Sequence, residues 1–256
     1  MISLGDKIVF ITGASSGIGR SCALAFAREG AKILIAARRR DRLKKLAGEL
    51  KAEFDVPCHS FELDVREQPA VERAVAGLPP AWEPIDILVN NAGLSRGLDK
   101  LHEGKTSDWE EMIDTNIKGL LYVSRAVIPG MVRRGCGQII NIGSIAGHEV
   151  YPGGNVYCAT KFAVNALSKG LRLDLSGTPL RVSTVDPGMV ETEFSLVRYH
   201  GDKERAAKTY QGFAPLSPDD IAAVVVFCAT RPPHVNISEV IVMPTAQAST
   251  TLVHRK

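Results

Sequence analysis

Short runs rich in valine, isoleucine and leucine recur along the chain at 7–12, 32–36, 57–63, 85–90, 137–142, 180–186 and 239–243. In most of these runs the apolar residues are consecutive rather than alternating, which marks strands covered on both faces, as in a parallel sheet. Longer amphipathic stretches separate them, at 18–29, 40–53, 68–77, 107–134, 155–175 and 218–229, and several of these close on glycine or proline. No linker, repeat or low-complexity tract interrupts the alternation. It predicts one α/β domain over 1–256, a doubly wound seven-stranded parallel sheet with helices on both faces. The segment 191–216 departs from the pattern. It is charged, has no clear strand and reads as a lid, and a C-terminal tail begins at about 244.

Composition narrows the function classes. With 256 residues, 45% of them apolar, the chain has ample material for a core, and disorder is not expected. A net charge of +3 is spread over 31 basic and 28 acidic residues, without a block that would draw nucleic acid or a membrane surface. The five cysteines are scattered and odd in number, with no CxxC pair, so neither a disulfide framework nor a metal site is expected. The start of the chain lacks the features of a signal peptide, and no apolar run approaches the ~20 residues of a membrane span. A soluble, cytoplasmic protein is expected.

The first candidate chemistry is the turn after the first strand. Gly13, Ser15, Ser16, Gly17, Ile18 and Gly19 lie between that strand and the helix it feeds. Glycines there permit positive backbone angles and close approach to a pyrophosphate, while the free amides and dipole of the helix start attract negative charge. An ordinary glycine-rich turn is the alternative, and the strand-to-helix context argues against it. The second strand ends at Ala37, where an acidic residue would bond the ribose hydroxyls of NAD. Arg38 and Arg39 follow instead, and their guanidinium groups suit a 2′-phosphate, which points to NADP(H). Arg40 and Arg42 read as a solvated helix start.

The Gly-x-x-x-Gly-x-Gly spacing, together with Asn90-Asn91-Ala92-Gly93 after the fourth strand, resembles the short-chain dehydrogenase/reductase family through nearly the whole chain. The resemblance implies a Rossmann-type fold and further cofactor contacts from Asn90, Ala92 and Gly93. It also implies that Asp64 and Val65 hold the adenine ring. Pro187, Gly188, Val190 and Thr192 match the turn under the nicotinamide, although Pro and Gly also simply punctuate strand ends.

Asn116, Ser144, Tyr157 and Lys161 match the family's catalytic tetrad in order and spacing. Tyr157 and Lys161, four residues apart, share one helix face and can both reach the cofactor ribose. The chemistry gives its own reason for these types. Reduction of a carbonyl by hydride leaves charge on oxygen, and a tyrosine is a reversible proton donor once its pKa near 10 is lowered. A drop of about 3 units takes about 4 kcal/mol, which a neighbouring lysine cation can supply. Ser144 would hold the substrate oxygen near Tyr157. Asn116 is assigned to a proton-conducting water chain by the resemblance alone; otherwise it is a cap or kink within a long helix. Cys158, about 100° round the helix from Tyr157, reads as a small core residue.

Segments including Gly153-Gly154-Asn155-Val156-Tyr157, Thr192-Glu193-Phe194-Ser195 and Gly201-Asp202-Lys203 are similar to those of NADP-dependent 3-hydroxy acid dehydrogenases. That likeness implies serine, 3-hydroxypropionate or malonic semialdehyde as substrate types. Arg198, in the lid, can pair with the carboxylate or sulfonate of a small anionic alcohol or aldehyde, or can be a solvated charge near Glu193 and Asp202. Tyr151 and Gln247 are candidate polar helpers. A sulfoacetaldehyde reductase and a neutral-ketone reductase are the competing enzymes, and an NADPH-binding scaffold is the competitor outside catalysis. Apolar residues on more than one side of the helices at 107–134 and 155–175 suggest a homotetramer, with a dimer as second choice.

Overall fold

In the computed structural model, which describes residues 2–256, seven strands form one parallel sheet in the order β3-β2-β1-β4-β5-β6-β7. They are β1 (Ile8–Thr12), β2 (Lys32–Ala37), β3 (Cys58–Glu62), β4 (Ile87–Asn90), β5 (Gln138–Ile142), β6 (Arg181–Pro187) and β7 (Glu239–Val242). The central strand explains the unbroken apolar runs. Val9 and Ile11 of β1 face one core, which α1 (Gly17–Arg28), α2 (Arg40–Phe54) and α9 (Pro218–Ala229) close with Phe26, Leu46 and Val225. Ile8 and Phe10 face a second, which α3 (Gln68–Ala76) and α5 (Leu120–Arg134) close with Val71, Val127 and Met131. Each side chain alternates faces, yet both faces are buried, so alternation never becomes visible. The two edge strands, β3 and β7, depart, with their residues half-buried or exposed.

The strand order reverses between β1 and β4. β2 and β3 lie on one side of β1 and the later strands on the other, so the loops after β1 and β4 part and leave a crevice at their carboxyl ends. The positions singled out in the sequence gather around it.

The helical stretch expected at 107–134 is not continuous. α4 (Thr106–Ile113) passes through a π-helical turn, Asp114–Gly119, before α5 begins. The turn rotates Thr115, Asn116 and Gly119 into the interior. Gly119 is needed there, because a Cβ would lie 2.6 Å from Val65 Cγ2. α6 (Asn155–Asp174) packs beside it. The stretch at 191–216 contains two short helices, α7 (Phe194–Arg198) and α8 (Lys203–Lys208), the second capped by the Asp202 carboxylate on the Arg205 amide. The tail folds back on its own chain, with an antiparallel bridge between Gln247 and Val253 and a bond from the Lys256 amide to the Gly212 carbonyl. Among the described residues no helix is long and apolar enough to cross a membrane.

Phe26, fully buried where α1 meets α9, reports on the first core. Phe26→Ala is expected to lower stability by about 3–5 kcal/mol, read as a shift of the urea unfolding midpoint.

Candidate active site

The crevice is a cleft of about 490 Å³, walled by the turn after β1, the ends of β2, β4, β5 and β6, and the segment carrying α7. At its floor the main chain is bare by necessity. Gly13 holds φ +66°, and a Cβ there would stand 2.9 Å from Ala92 Cα. Gly17 holds φ +54° at the first position of α1, and Ser16, its N-cap, makes no side-chain cap bond. The first amides of α1 therefore face the cleft without an internal acceptor, a cradle that fits a pyrophosphate. Gly13, Ser15, Ser16, Gly17 and Ile18 all line the cleft, as do Asp64, Val65, Ala92, Gly93, Pro187, Gly188, Val190 and Thr192. Two expected cofactor contacts do not. Asn90 turns into the sheet and donates to Ser124 Oγ and Asn141 Oδ1, tying β4 to β5 and α5. Gly19 lies beneath the turn, where a Cβ would collide with Asn91 Nδ2, so it serves close packing, and Asn91 takes a place on the wall.

At the end of β2, Ala37 presents no acid, and Arg38 and Arg39 line the cleft. Arg39 donates to Ser15 Oγ at 3.0 Å and Ser16 Oγ at 2.6 Å, so its guanidinium lies over the phosphate turn. Arg38 reaches outward to Glu111 at 3.8 Å. Arg42 is more than a solvated charge: it meets both oxygens of Glu193, at 2.7 and 2.8 Å, and Arg39 joins the same carboxylate at 2.8 Å. Glu193 thus ties the far segment to the end of β2. Burial works to raise its carboxyl, and bonds and charge from Arg39 and Arg42 outweigh that and hold it low. Asp64 is engaged by Arg66 at 2.6 Å, which likewise keeps its carboxyl low against burial.

At the other end of the cleft stand Ser144, Tyr157 and Lys161. Ser144 follows β5, where its hydroxyl accepts the Ala146 amide and points to the Pro187 carbonyl. Lys161 is buried, and its ammonium donates to the Ile142 carbonyl at 2.9 Å, about one strand-end from Ser144. Burial pulls that ammonium down to about 8. Burial pushes the Tyr157 phenol up, and the charge of Arg198 and the hydroxyl of Ser144 pull against it. Lys161 Nζ sits 6.0 Å from the Tyr157 ring centre. Asn116 is set behind these three and not on the cleft wall. Its amide clasps Leu94 from both sides, at 2.9 and 2.8 Å, and donates to Thr160 Oγ1 at 3.0 Å. The π turn makes this clasp possible, and Gly93 leaves Asn116 and Lys161 open to each other.

Arg198 leans into the cleft from α7. Its guanidinium carbon lies 5.7, 5.3 and 5.0 Å from the ring centres of Tyr151, Tyr157 and Phe194. It donates to the Tyr151 hydroxyl at 2.8 Å and to Ser95 Oγ at 3.1 Å. Neither carboxylate named beside it in the sequence engages it, since Glu193 holds Arg39 and Arg42 while Asp202 caps α8. Among the described residues no carboxylate pairs with it. Gln247 is buried under the Gly188 turn, accepting the Met189 amide at 2.8 Å and donating to the Ser249 carbonyl at 3.1 Å, so the tail braces that turn. Ser95 carries no signal in the sequence, and Glu193 carries only its place beside Thr192.

A cleft of this build at the reversal point of a parallel sheet can hold a dinucleotide along its length and present a phenol and a hydroxyl to a carbonyl or alcohol. The family model described as short chain dehydrogenase matches residues 7–201. The chain is 50% identical over 250 residues to the NADP-dependent 3-hydroxy acid dehydrogenase YdfG of Salmonella typhi, a match covering 97% of this chain and 99% of that one. It is 42% identical over 257 residues to an NADP-dependent 3-hydroxy acid dehydrogenase of Schizosaccharomyces pombe, covering 100% and 99%. Among solved structures, the closed form of serine dehydrogenase complexed with NADP+ superposes with a TM-score of 0.91 at 48% identity, over 97% of this chain and 100% of that one. Sheet order, cleft and relatives agree, and the chain belongs to the short-chain dehydrogenase family.

Proposed function

We propose that this protein transfers hydride between NADP(H) and a short 3-hydroxy acid or its semialdehyde, of the serine or 3-hydroxypropionate type. The observation that carries the substrate class is Arg198, a cation without a carboxylate partner among the described residues, set over the ring of Tyr157 and fixed by Ser95 and Tyr151. A guanidinium so placed can take a substrate carboxylate as a paired acceptor while the neighbouring hydroxyl carbon lies at Tyr157. Relatives named for NADP and 3-hydroxy acids support the same assignment.

In oxidation, Tyr157 as phenolate takes the proton of the substrate hydroxyl, and Ser144 donates to the same oxygen to keep it in line. NADP+, when bound, supplies the hydride acceptor. In reduction Tyr157 returns the proton to the carbonyl oxygen. Lys161 holds the phenolate form by its charge, and Asn116 fixes the backbone at Leu94 beside it. Arg39, already over the phosphate turn, takes the 2′-phosphate together with Arg38. The whole constellation belongs to one NADP-binding catalytic domain. Exposed Leu121 and Val132 on α5 with Phe162 and Leu173 on α6 support a homotetramer, and we place the enzyme in the cytoplasm.

Four measurements test this reading. A panel of serine, 3-hydroxypropionate, isethionate and neutral alcohols, scored by kcat/KM with NADP+, is expected to favour the carboxylates. Arg198→Leu should then cost the acids at least about tenfold more than the neutral alcohols; equal losses, or a preference of the intact enzyme for isethionate, would defeat the carboxylate assignment. Arg39→Leu should raise the KM for NADPH by about 10–100-fold, the loss of one charge-assisted bond, with NADH nearly unaffected. Sedimentation at micromolar protein should give the mass of four chains, and a monomer would reject the assembly.

A further inference from the structure

One cluster of ionisable side chains beside the Ser144 loop takes no part in the chemistry above. Asp186, near the end of β6, is 0% exposed. The β5–β6 register places it beside Gly143, whose amide bonds the Val185 carbonyl, and a Cβ on Gly143 would run into Asp186 Oδ1. The preceding carbonyl, that of Ile142, is the one that receives the Lys161 ammonium. The buried carboxylate and the buried ammonium therefore flank one short piece of main chain. On its other side Asp186 Oδ2 meets His148 Nε2 at 3.0 Å, and Asn165 braces the imidazole and the Gly147 carbonyl, both at 3.1 Å. Glu239 on β7 lies 3.9 Å from His148 Nδ1, and Lys169 lies 3.9 Å from Glu239. Asp186 Oδ1 has no hydrogen-bond partner among the described residues.

A carboxylate with a bare oxygen in a protein core is costly, and an apolar residue in its place would pack at lower cost. We infer that Asp186, held by His148, is the counter-charge that keeps the proton on Lys161 and so makes Tyr157 the group that gives its proton up. This rests on the reading of Tyr157 and Lys161 as the acid–base pair.

That pair must shed one proton to accept the proton of an alcohol, and the proton can leave from either member. Only the form with phenolate and ammonium works. Burial drives Lys161 towards losing its proton, and Asp186, across the Ile142–Gly143 main chain that both groups flank, is the charge that opposes this. Burial in turn pushes Asp186 up, Glu239 adds to that, and the bond and charge of His148 and the charge of Lys161 pull it down. Around Asp186 the charged groups are His148 after β5, with Glu239 on β7 and Lys169 on α6 beyond it, and around Tyr157 the charged and titratable groups are Arg198 from α7, Tyr151, Cys158 and Tyr210.

His148, Asp186 and Glu239 also converge within 4.8 Å, a spacing that suits a divalent cation. The imidazole turns one nitrogen to each acid, however, and so lies between them as a link in a chain instead of pointing with them at a common centre.

The test is Asp186→Asn in the full-length enzyme, with serine oxidation followed across pH and folding checked by thermal melting. Removing a negative charge makes both members of the pair more acidic, and Lys161 the more so. The acidic limb of the kcat profile should therefore move to lower pH while its plateau falls at least about tenfold, with the KM for NADP+ within about twofold of the parent. The ultraviolet phenolate signal that Tyr157→Phe removes from the parent should shrink in parallel. His148→Leu, which leaves Asp186 without its donor, should be defective at low pH and recover as pH rises and Asp186 ionises; His148→Gln, which keeps a donor, should restore most of the activity. A folded Asp186→Asn with plateau and limb unmoved, or with activity lost and the limb unshifted, overturns the inference. So does stimulation of the parent by zinc with loss on chelation. Should Asp186→Asn fail to fold, the two His148 variants decide the matter: the pH-dependent loss and its rescue by glutamine uphold the counter-charge, and their absence rejects it. Active Tyr157→Phe and Lys161→Ala enzymes would instead reject the acid–base reading beneath it.

Discussion

A buried ammonium governs the layout of this cleft. Lys161 is 7% exposed, and a charge so far from water has to be met by fixed polar groups. Its one direct acceptor is the carbonyl of Ile142, which is free to receive it because β5 ends there. α6 must then cross that strand end at a set height, and the next turn of the same helix brings Tyr157 to the cleft. Gly93 and Gly147 allow this approach, the first opposite the Lys161 side chain and the second 2.7 Å, by its absent Cβ, from the Lys161 carbonyl. The position of the phenol is a consequence of where the ammonium can be tolerated.

The segment carrying α7 is organised around a second cation, and the contrast is instructive. Arg198 belongs to a short helix joined to the loop after β4 by one main-chain bond, from the Gly97 amide to the Arg198 carbonyl, and otherwise held by side-chain bonds. Glu193 holds Arg39 and Arg42, Arg96 bonds the Val197 carbonyl at 2.6 Å, and Arg255 from the tail bonds the Thr209 carbonyl at 3.1 Å. Such ties are exposed or half-exposed, and surface pairs of this kind contribute about 0–1 kcal/mol each. The segment carrying α7 is held largely by such weak contacts, while Lys161 is held by the core.

Central strands and phosphate turn were legible because their causes are local. A strand buried on both faces must be continuously apolar, and a turn that lets main chain approach a phosphate must be glycine. Ser144, Tyr157, Lys161 and Arg198, which the fold brings to one cleft, were legible as residue types at a spacing. What escaped depended on the third dimension. Asn90 sits in a recognised motif, but it is the strand's own alternation that turns its side chain into the sheet, leaving Asn91 on the wall. The helix at 107–134 has no proline or glycine signal at residue 114 to announce a π turn; the contact that the turn permits, Asn116 clasping Leu94, lies across the fold. Arg42 looks like any helix-start charge until Glu193, remote in sequence, arrives beside it. Asp186 reads as the last residue before a Pro-Gly turn, and nothing near it in sequence names Lys161 or His148 as neighbours.

The two cations also divide the work around Tyr157 in the only way their supports permit. Arg198 lies 5.3 Å from the phenol ring and pulls against the effect of burial, but a carboxylate drawn to it would spend that charge on the substrate. With an anion in place, the stabilisation of a phenolate must come from a charge the substrate cannot reach. Lys161 meets that condition, since it is buried behind Tyr157 on the same helix and bonded to main chain. A lid can therefore carry the group that recognises substrate, whereas the group that sets the acidity of Tyr157 has to be part of the sheet and the helix packed on it.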